Sequence, residues 1–266
     1  MKFSVITVCK NEAPTIENTI LSVINQTYNN FEFIIIDGKS TDKTIDIINK
    51  YKDKISIVIS ESDNGVYSAM NKGIKRASGD FIVFINGNDS FKDNFVLEDI
   101  AKIYKKYQSA ELIIGNVDLY KNEKFQRKTY HHNIQTIYDF QKKLYTHQGI
   151  FYSKKIFQKY GTYNENLKII SDNLLNAKIL LNRDFIVYTK RTVANFTLGG
   201  LSSNVENRKQ QEKERKYLNR TMFKNNFFYL NKPFLLAKYF LPNIYILYCN
   251  SFLNKDFKLN NTIIEE

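Results

Sequence analysis

A run of five apolar residues, Phe81 to Ile85, constrains the fold of this chain more than any other feature. A continuous apolar run rich in aromatic and β-branched residues is typical of a strand that is buried on both faces of a sheet. Gly79 and Asp80 form a turn signal before the run, and polar residues, Asn86 to Asp89, follow it directly. The run therefore predicts a central strand of a sheet that is covered on both sides.

Strand and helix patterns alternate between the N-terminus and this run. Three earlier apolar runs predict strands: Phe3 to Val8, Phe33 to Ile36 and Ile55 to Ile59. Pro14 fits the first turn of a first helix, and Ser40 or Thr41 is the predicted cap of a second. A third helix from about Val66 to Ala77 leads into the central strand. This order predicts an α/β fold with a mainly parallel sheet and right-handed crossovers.

The second half of the chain has a weaker pattern. Its predicted elements are a short strand, two helices and two edge strands: Glu111 to Gly115, Lys154 to Tyr160, Ser171 to Leu181, Phe185 to Tyr188 and Val193 to Phe196. Between the first two of these, Val117 to Lys143 is basic and aromatic without a clear period. Neither a Gly-x-Gly-x-x-Gly loop nor a P-loop follows the early strands, which argues against a dehydrogenase or an NTPase.

Polar residues at the end of the central strand suggest a binding site. Ligands of open α/β sheets collect at the carboxyl ends of the strands, so Asn86 to Asp89 are expected at the rim of a site. A carboxylate beside amide oxygens suits a hard divalent cation that bridges to phosphate oxygens. The alternative is a plain Asn-Gly turn that leaves the strand.

Charge and cysteine content limit the partners and the compartment. A net charge of +12 is typical of proteins that bind nucleic acid, an anionic membrane surface or anionic small substrates. No helix-turn-helix or zinc-finger signature is present, so nucleic acid is not expected. The chain has two cysteines, Cys9 and Cys249, which argues against a disulfide framework and suits a reducing compartment. The first residues lack the features of a signal peptide, so we expect a cytoplasmic protein.

The composition changes beyond Gly199 and Gly200, and we predict a boundary between residues 1–203 and a C-terminal helical extension, residues 204–266. Asn204 to Arg220 has the charge pattern of a solvated helix. Phe223 to Phe257 is rich in Phe, Tyr and Leu, but prolines and lysines interrupt it, so no apolar span of about 20 residues exists. Helices on a membrane surface and a satellite core that covers the sheet are both open interpretations.

Several loops carry one family pattern in a specific order. The motifs are Ser4-Val5-Ile6-Thr7-Val8 with Asn11-Glu12, Asp37-Gly38-Lys39-Ser40-Thr41-Asp42, Ser60-Glu61-Ser62-Asp63-Asn64-Gly65-Val66-Tyr67, Ala69-Met70-Asn71-Lys72-Gly73, the stretch Gly79 to Phe91, His147-Gln148, Ser171-Asp172 and Phe196 to Ser202. From Phe3 to about Ser203 the chain resembles family-2 glycosyltransferases of the GT-A fold, a Rossmann-like mixed sheet flanked by helices. The matching subgroup builds bacterial surface polysaccharides and lipid-linked oligosaccharides.

The resemblance implies a set of nucleotide-sugar contacts: Thr7, Glu12, Asp37, Asp63, Lys72, Asn88 and His147. Thr7, Glu12 and Asp37 correspond to nucleoside contacts, because carboxylates can accept hydrogen bonds from ribose hydroxyls or a base imide. Asp63 is expected in the same pocket, and Lys72 is expected to face a phosphate, while the adjacent Asn71 is expected to tie its helix to the loop. A helix-capping acid and a solvated lysine are the alternatives for Asp63 and Lys72. His147 is expected at the diphosphate or the acceptor, and a structural histidine is its alternative.

The resemblance also implies a metal ligand and a base. Asp89 corresponds to the last acid of the family's Asp-x-Asp metal motif, which binds Mn²⁺ or Mg²⁺, but Gly87 stands where the first acid is expected. Asp172 corresponds to the general base, at the start of a helix whose N-terminus favours a charged acid. An ordinary helix N-cap is the alternative for Asp172.

The function implied is a metal-assisted inverting transfer of a sugar from a nucleotide diphosphate, UDP being the expected nucleotide, to a hydroxyl of a glycan or lipid-linked glycan. Val117 to Lys143 is expected to vary with the acceptor. The basic, aromatic tail indicates a peripheral enzyme on the cytoplasmic membrane face. The missing acid at Gly87 leaves one alternative, a catalytically degenerate nucleotide-sugar-binding protein of the same fold. A nucleotidyltransferase is less expected, because no Gly-rich basic loop follows Val8.

Overall fold

The computed structural model describes residues 1–134, 137–201, 204–222 and 262–265. The strands are β1 (Phe3–Cys9), β2 (Phe31–Asp37), β3 (Ile57–Ser60), β4 (Phe81–Phe84), β5 (Ser90–Phe91), β6 (Leu112–Lys121), β7 (Lys124–Thr129), β8 (Ile150–Ser153), β9 (Ile186–Thr197) and β10 (Thr262–Glu265). The helices are α1 (Ile16–Ile24), α2 (Thr44–Lys50), α3 (Val66–Arg76), α4 (Val96–Lys106), α5 (Ile137–Lys142), α6 (Lys154–Tyr160), α7 (Ser171–Leu181) and α8 (Arg208–Met222).

All these strands form one mixed sheet in which β4 is central. The main order is β10-β9-β6-β8-β4-β1-β2-β3, while β5 pairs with β9 and β7 pairs with β6. Strands β1, β2, β3 and β4 are parallel to their neighbours within this group, and β8 runs antiparallel between β4 and β6. The prediction of a mixed, mainly parallel α/β sheet is therefore confirmed.

The apolar run that predicted the central strand is buried on both faces. Phe81 and Val83 belong to one hydrophobic core, and Ile82 and Phe84 belong to the other. Residues from α1 and α4 contribute to the first core, whereas residues from α3 and α7 contribute to the second. Because side chains of a strand alternate between the two faces, a sheet with helices on both sides needs a continuous apolar run at its centre.

The two predicted edge strands are one interior strand, which corrects the prediction from the sequence. Strand β9 is continuous over 12 residues and lies between β6 and β10. The polar residues Lys190 and Arg191 interrupt its apolar pattern, which is why the sequence predicted two strands. Arg191 is accommodated because its guanidinium contacts Asp93 at 2.6 Å and Asp99 at 2.9 Å.

Two helix starts differ from the prediction. Helix α1 begins at Ile16, so Pro14 lies in the turn before it and not in its first turn. Neither Ser40 nor Thr41 caps α2, because α2 begins at Thr44 with Lys43 at its N-cap position. The Ser40 hydroxyl donates to Asp37, and the Thr41 amide donates to Asn11. A carboxylate oxygen of Asp42 instead accepts the Thr44 amide at 3.0 Å.

Two elements of the predicted C-terminal extension contact the rest of the fold. Helix α8 packs on α7 and buries Glu214 and Leu218, so it is not a fully solvated helix. Strand β10 pairs in parallel with β9, which places residues 262–265 in the main sheet and not in a helical extension. Phe223 to Phe257 lies outside the described residues. Among the helices that the structure describes, none is both long and apolar enough to span a membrane.

Candidate active site

A cavity of about 930 Å³ lies at the carboxyl ends of β1 and β4. Its lining includes the loops after these strands, the start of α3, the segment before β8 and the start of α7, and residues of β7, the end of β9 and α8 also contribute. Parallel strands place their carboxyl ends on one edge of a sheet, so distant loops meet there. Six predicted site residues line the cavity: Glu12, Asp63, Asn88, Asp89, His147 and Asp172.

Thr7 and Asp37, which were predicted as nucleoside contacts, do not line the cavity but lie buried beneath its lining. The Thr7 hydroxyl is fully buried and donates to the Ile85 carbonyl at 2.6 Å. The Asp37 carboxylate is also fully buried, and it accepts the Ser40 amide and hydroxyl and the Ser60 hydroxyl. Both residues therefore hold strand ends and loops in place below the cavity.

The backbone at the ends of β1 and β2 turns sharply. Asn11 and Lys39 both have left-handed backbone angles, with φ of 56° and 60°. Non-glycine residues adopt this region rarely, and asparagine tolerates it better than most. The Asn11 side chain accepts the Thr41 amide at 2.8 Å, which ties the two loops to each other.

Asp89 is a buried carboxylate with two donors. It is 5% exposed, and it accepts the Gln148 side-chain amide at 2.6 Å and the Thr197 backbone amide at 3.2 Å. Burial raises the pKa of Asp89 to about 6, although both hydrogen bonds oppose this shift. The charged form of Asp89 would therefore gain from a cation in the cavity.

Gly87 has no room for a side chain, which explains the missing acid of the metal motif. A Cβ atom at this position would lie 2.7 Å from Cys9 Cβ and 3.1 Å from Glu12 Cγ. Its carbonyl accepts the Thr15 hydroxyl at 2.9 Å, and the same hydroxyl contacts Glu12 Oε2 at 3.1 Å. Gly87 is thus a close-packing position, and Glu12 fills the adjoining space.

The residues near Asp89 offer oxygen atoms to a cation. Among the residues that the structure describes, the side-chain oxygens of Asn86 and Gln148 are buried and have no hydrogen-bond donor. Carboxylate and amide oxygens are the kind of donor that Mn²⁺ and Mg²⁺ prefer, and phosphate and water commonly supply the further ligands. Within the described ranges, no group of three or more His, Cys, Asp or Glu side chains could hold a metal ion. The residues present therefore fit a metal site in which Asp89 is the single carboxylate of the motif.

Asp172 also lines the cavity and is not an N-cap. Residue Ile170 caps α7 without a side-chain bond, and Asp172 lies in the first turn, 4% exposed. One of its oxygens accepts the Tyr67 hydroxyl at 2.8 Å, and the other lies 3.5 Å from Nδ1 of His147. Burial and the charge of Asp172 raise the pKa of Tyr67 well above its ordinary value, so the phenol stays a donor.

His147 connects this acid to the loop after β4. Its Nε2 atom lies 3.0 Å from the side-chain nitrogen of Asn86. Because an amide nitrogen can only donate, Nε2 accepts and the Nδ1 proton faces Asp172. The contacts join four cavity residues in one row: Asn86, His147, Asp172 and Tyr67.

Comparison with known proteins identifies the family. The sequence profile of "Glycosyl transferase family 2" matches residues 4–167, more than half of the chain. The chain is a family 2 glycosyltransferase. A "PGL/p-HBAD biosynthesis glycosyltransferase" of Mycobacterium bovis is 28% identical over 216 residues, which cover 76% of this chain and 80% of that protein.

Two solved structures share the GT-A fold of this glycosyltransferase. Staphylococcus aureus TarS 1-349 in complex with UDP-GlcNAc has a TM-score of 0.67 at 20% identity, covering 84% of this chain and 67% of that one. Mannosyltransferase PcManGT from Pyrobaculum calidifontis, in complex with GDP-Man and Mn²⁺, has a TM-score of 0.59 at 16% identity, covering 76% and 58%. The expected GT-A fold is thus confirmed.

Asp63 and Lys72 form an ion pair in this glycosyltransferase. Lys72 Nζ lies 2.5 Å from Asp63 and 2.8 Å from Glu61, and Lys72 is not among the residues that line the cavity. The position of Lys72 therefore does not fit the predicted phosphate contact, because two carboxylates hold its amine at the loop. Asp63 does line the cavity, and it does not cap α3, whose N-cap is Gly65.

Three residues with hydrogen bonds at or next to the cavity were not among the site residues predicted from the sequence. Tyr67 and Gln148 were part of the family motifs, but only the fold shows that they donate to Asp172 and Asp89. Glu214 was assigned to a solvated helix because lysines and arginines surround it in sequence. The available signal was that Glu214 and Leu218 lie four residues apart, which places them on the same face of a helix.

Proposed function

We propose that the enzyme transfers a sugar with inversion from a UDP-sugar to a hydroxyl of a glycan or lipid-linked glycan in polysaccharide biosynthesis. The observation that carries this proposal is the position of Asp172. Its carboxylate lines the same cavity as Asp89 and the loops after β1 and β4, and His147 connects it to Asn86 in the loop after β4. A donor held by those loops would present its anomeric carbon to an acceptor on the side of Asp172.

The proposed step is a single displacement. The acceptor oxygen forms a bond to the anomeric carbon while the bond from that carbon to the diphosphate oxygen breaks, and the leaving UDP takes the electron pair. The proton of the acceptor hydroxyl passes to the Asp172 carboxylate. Tyr67 donates to one oxygen of this carboxylate, and His147 faces the other, so their contacts set the direction in which the base points.

The loops after β1 and β4 are proposed to hold the donor. Glu12 and Asn88 line the cavity beside Asp89, and Asp63 lines it from the loop before α3. UDP is proposed as the nucleotide because the chain shares its fold with TarS bound to UDP-GlcNAc. A Mn²⁺ or Mg²⁺ ion held by Asp89 would neutralise charge on the departing diphosphate.

Substitution of the base tests the proposal. We expect wild-type protein to release UDP from at least one UDP-sugar, with water or a glycan as acceptor. Asp172→Asn should lower kcat at least 100-fold, since general-base catalysis contributes about 10²- to 10⁴-fold. The thermal shift caused by UDP should persist. Asp184→Asn is the matched control, because Asp184 is a buried acid that does not line the cavity.

Three results would contradict the proposal. Turnover that survives Asp172→Asn would remove the base assignment, and a product that keeps the donor's anomeric configuration would remove inversion. A wild-type protein that binds UDP-sugars but turns over none of them would support the degenerate alternative.

We also propose that the enzyme works at a cytoplasmic membrane surface on a lipid-linked acceptor. The support is a net charge of +12 and the alternation of lysines with aromatic residues in Phe223 to Phe257. A basic segment of this kind is attracted to anionic lipids.

A further inference from the structure

Helix α8 brings a buried carboxylate to the segment that precedes the proposed base. Glu214 is 2% exposed although it lies in a helix with a strongly charged sequence. One of its oxygens accepts the Lys168 amide at 2.8 Å, and the other accepts the Ile169 and Ile170 amides at 2.9 and 3.2 Å. These three consecutive amides lie directly before Ser171, where α7 begins.

The carboxylate is itself held in place. The Gln210 side chain, one turn earlier in α8, donates to Glu214 at 2.6 Å. Arg215, which follows Glu214 in sequence, donates to the carbonyls of Gln141 and Lys142 at 2.8 and 3.3 Å. Helix α8 therefore contacts both the segment before α7 and the segment that leads to His147, and Arg215 also lines the cavity.

The direction of the Asp172 side chain depends on the backbone that Glu214 holds. It lies two residues after Ile170, so any rotation of the 168–170 backbone moves the first turn of α7. Tyr67 and His147 contact the Asp172 carboxylate, but neither fixes its backbone. A buried carboxylate that accepts several backbone amides is a strong anchor, because its loss leaves buried amides without a partner.

We infer that Glu214 is a positioning residue for the transfer reaction, which acts on the general base Asp172 through the 168–170 backbone. This inference rests on the proposed function of Asp172. It also makes α8, which lies beyond the matched family region, a part of the catalytic apparatus. Glu214 does not line the cavity, so its effect is expected in kcat and not in donor binding.

The test compares two buried residues of the same helix. Glu214→Gln keeps the size of the side chain but removes the charge and one acceptor oxygen. Leu218→Ala is the matched control, because Leu218 is 1% exposed in the same helix but has no side-chain acceptor for the amides of residues 168–170. Both variants should lower the unfolding temperature, so kinetics are measured well below the lower of the two midpoints.

UDP release from the UDP-sugar that wild-type protein uses is the kinetic readout. We expect Glu214→Gln to lower kcat at least tenfold with KM for the donor within twofold of wild type. Leu218→Ala should keep kcat within twofold. Hydrogen–deuterium exchange should rise at residues 168–172 in Glu214→Gln, and it should stay at the wild-type level there in Leu218→Ala.

Two outcomes would overturn the inference while the proposed function stands. Glu214→Gln could keep the wild-type kcat, or Leu218→Ala could lose as much kcat as Glu214→Gln, which would make the effect one of general stability. A wild-type protein that releases no UDP from any donor would instead overturn the proposed function, and with it the reason for positioning Asp172.

Discussion

The glycine at position 87 can be mistaken for a sign that the protein has lost its function, because it replaces an acid of the metal motif. A Cβ atom here would lie 2.7 Å from Cys9 Cβ, so the position excludes an acid for reasons of packing. We expect Gly87→Asp to destabilise the protein by about 1–3 kcal/mol, the typical cost of overpacking, without raising Mn²⁺ affinity. Urea unfolding and a calorimetric Mn²⁺ titration with UDP present measure the two quantities.

The control for Gly87 is another glycine of the cavity. Gly200 also lines it, but a Cβ atom there would meet none of the described residues within 4 Å. Gly200→Ala should change the free energy of unfolding by less than about 0.5 kcal/mol. Tighter Mn²⁺ binding by Gly87→Asp at unchanged stability would contradict the packing explanation.

His131 makes the stability of the cavity wall depend on pH. Its Nδ1 atom donates to the Gly115 carbonyl at 2.8 Å, and its Nε2 accepts the Thr146 amide at 3.2 Å, so the ring is neutral. Burial lowers the pKa of His131 to about 4. The unfolded chain takes up this proton near pH 6.5, so the stabilising contribution is present above pH 6.5 and is lost as the pH falls to about 4.

We therefore expect the free energy of unfolding to fall by up to about 3 kcal/mol over this range because of His131 alone. Urea unfolding of wild type and His131→Gln between pH 4 and pH 7.5 measures the contribution, because the variant should lack it. Parallel pH dependences for the two proteins would show that His131 is not the group responsible.

At the scale of elements, the Asn71 side chain joins α3 to the loop before α7. Its side chain accepts the Tyr163 amide at 2.9 Å and donates to the Tyr163 carbonyl and to Glu165. Asn71→Ala would leave a buried amide and a buried carbonyl without partners, which costs about 2–4 kcal/mol. Asn49→Ala, at an exposed helix position, should cost less than about 0.5 kcal/mol.

Unfolding midpoints in urea compare the two asparagine variants. Equal losses from Asn71→Ala and Asn49→Ala would mean that the link between α3 and the loop does not stabilise the fold. A loss confined to Asn71→Ala would instead support a rigid connection between the Tyr67 and Asp172 sides of the cavity.

Whole-molecule charge supports the proposed membrane contact, and the fold limits how it can be tested. A deletion of Phe223 to Glu266 would also remove β10, whose Glu265 contacts Lys106 and Tyr107. Four tail lysines are better replaced by Gln: Lys224, Lys232, Lys238 and Lys255. We expect this variant to bind phosphatidylglycerol vesicles at least tenfold more weakly, since each lysine near an anionic surface contributes about 1 kcal/mol.

The matched control removes the same charge from another part of the surface. It replaces four exposed lysines that do not line the cavity: Lys52, Lys54, Lys105 and Lys155. Co-sedimentation with vesicles should show unchanged binding for this control. An equal loss in both variants would mean that net charge, and not the tail, brings the protein to the vesicles.

How well each element could be predicted from the sequence depends on how far apart in sequence its contacts lie. Helices α6 and α7 have the predicted bounds, because local apolar spacing and helix propensity define them. Strand β9 was divided in the prediction, since the contacts of Arg191 with Asp93 and Asp99 come from about 90 residues away in sequence. The burial of Glu214 was missed for the same reason, because its partners lie in a different segment.

The sequence by itself determined the central strand Phe81 to Ile85, the α/β class and the cavity acids Asp89 and Asp172. These follow from local apolar runs and from motifs whose order can be identified along the sequence. Only the tertiary structure decided that Gly87 has no room for an acid, that Thr7 and Asp37 lie under the cavity, and that Glu214 holds the backbone before Asp172. The physical reason is that close packing and the pairing of buried polar groups depend on segments that meet only in the folded chain.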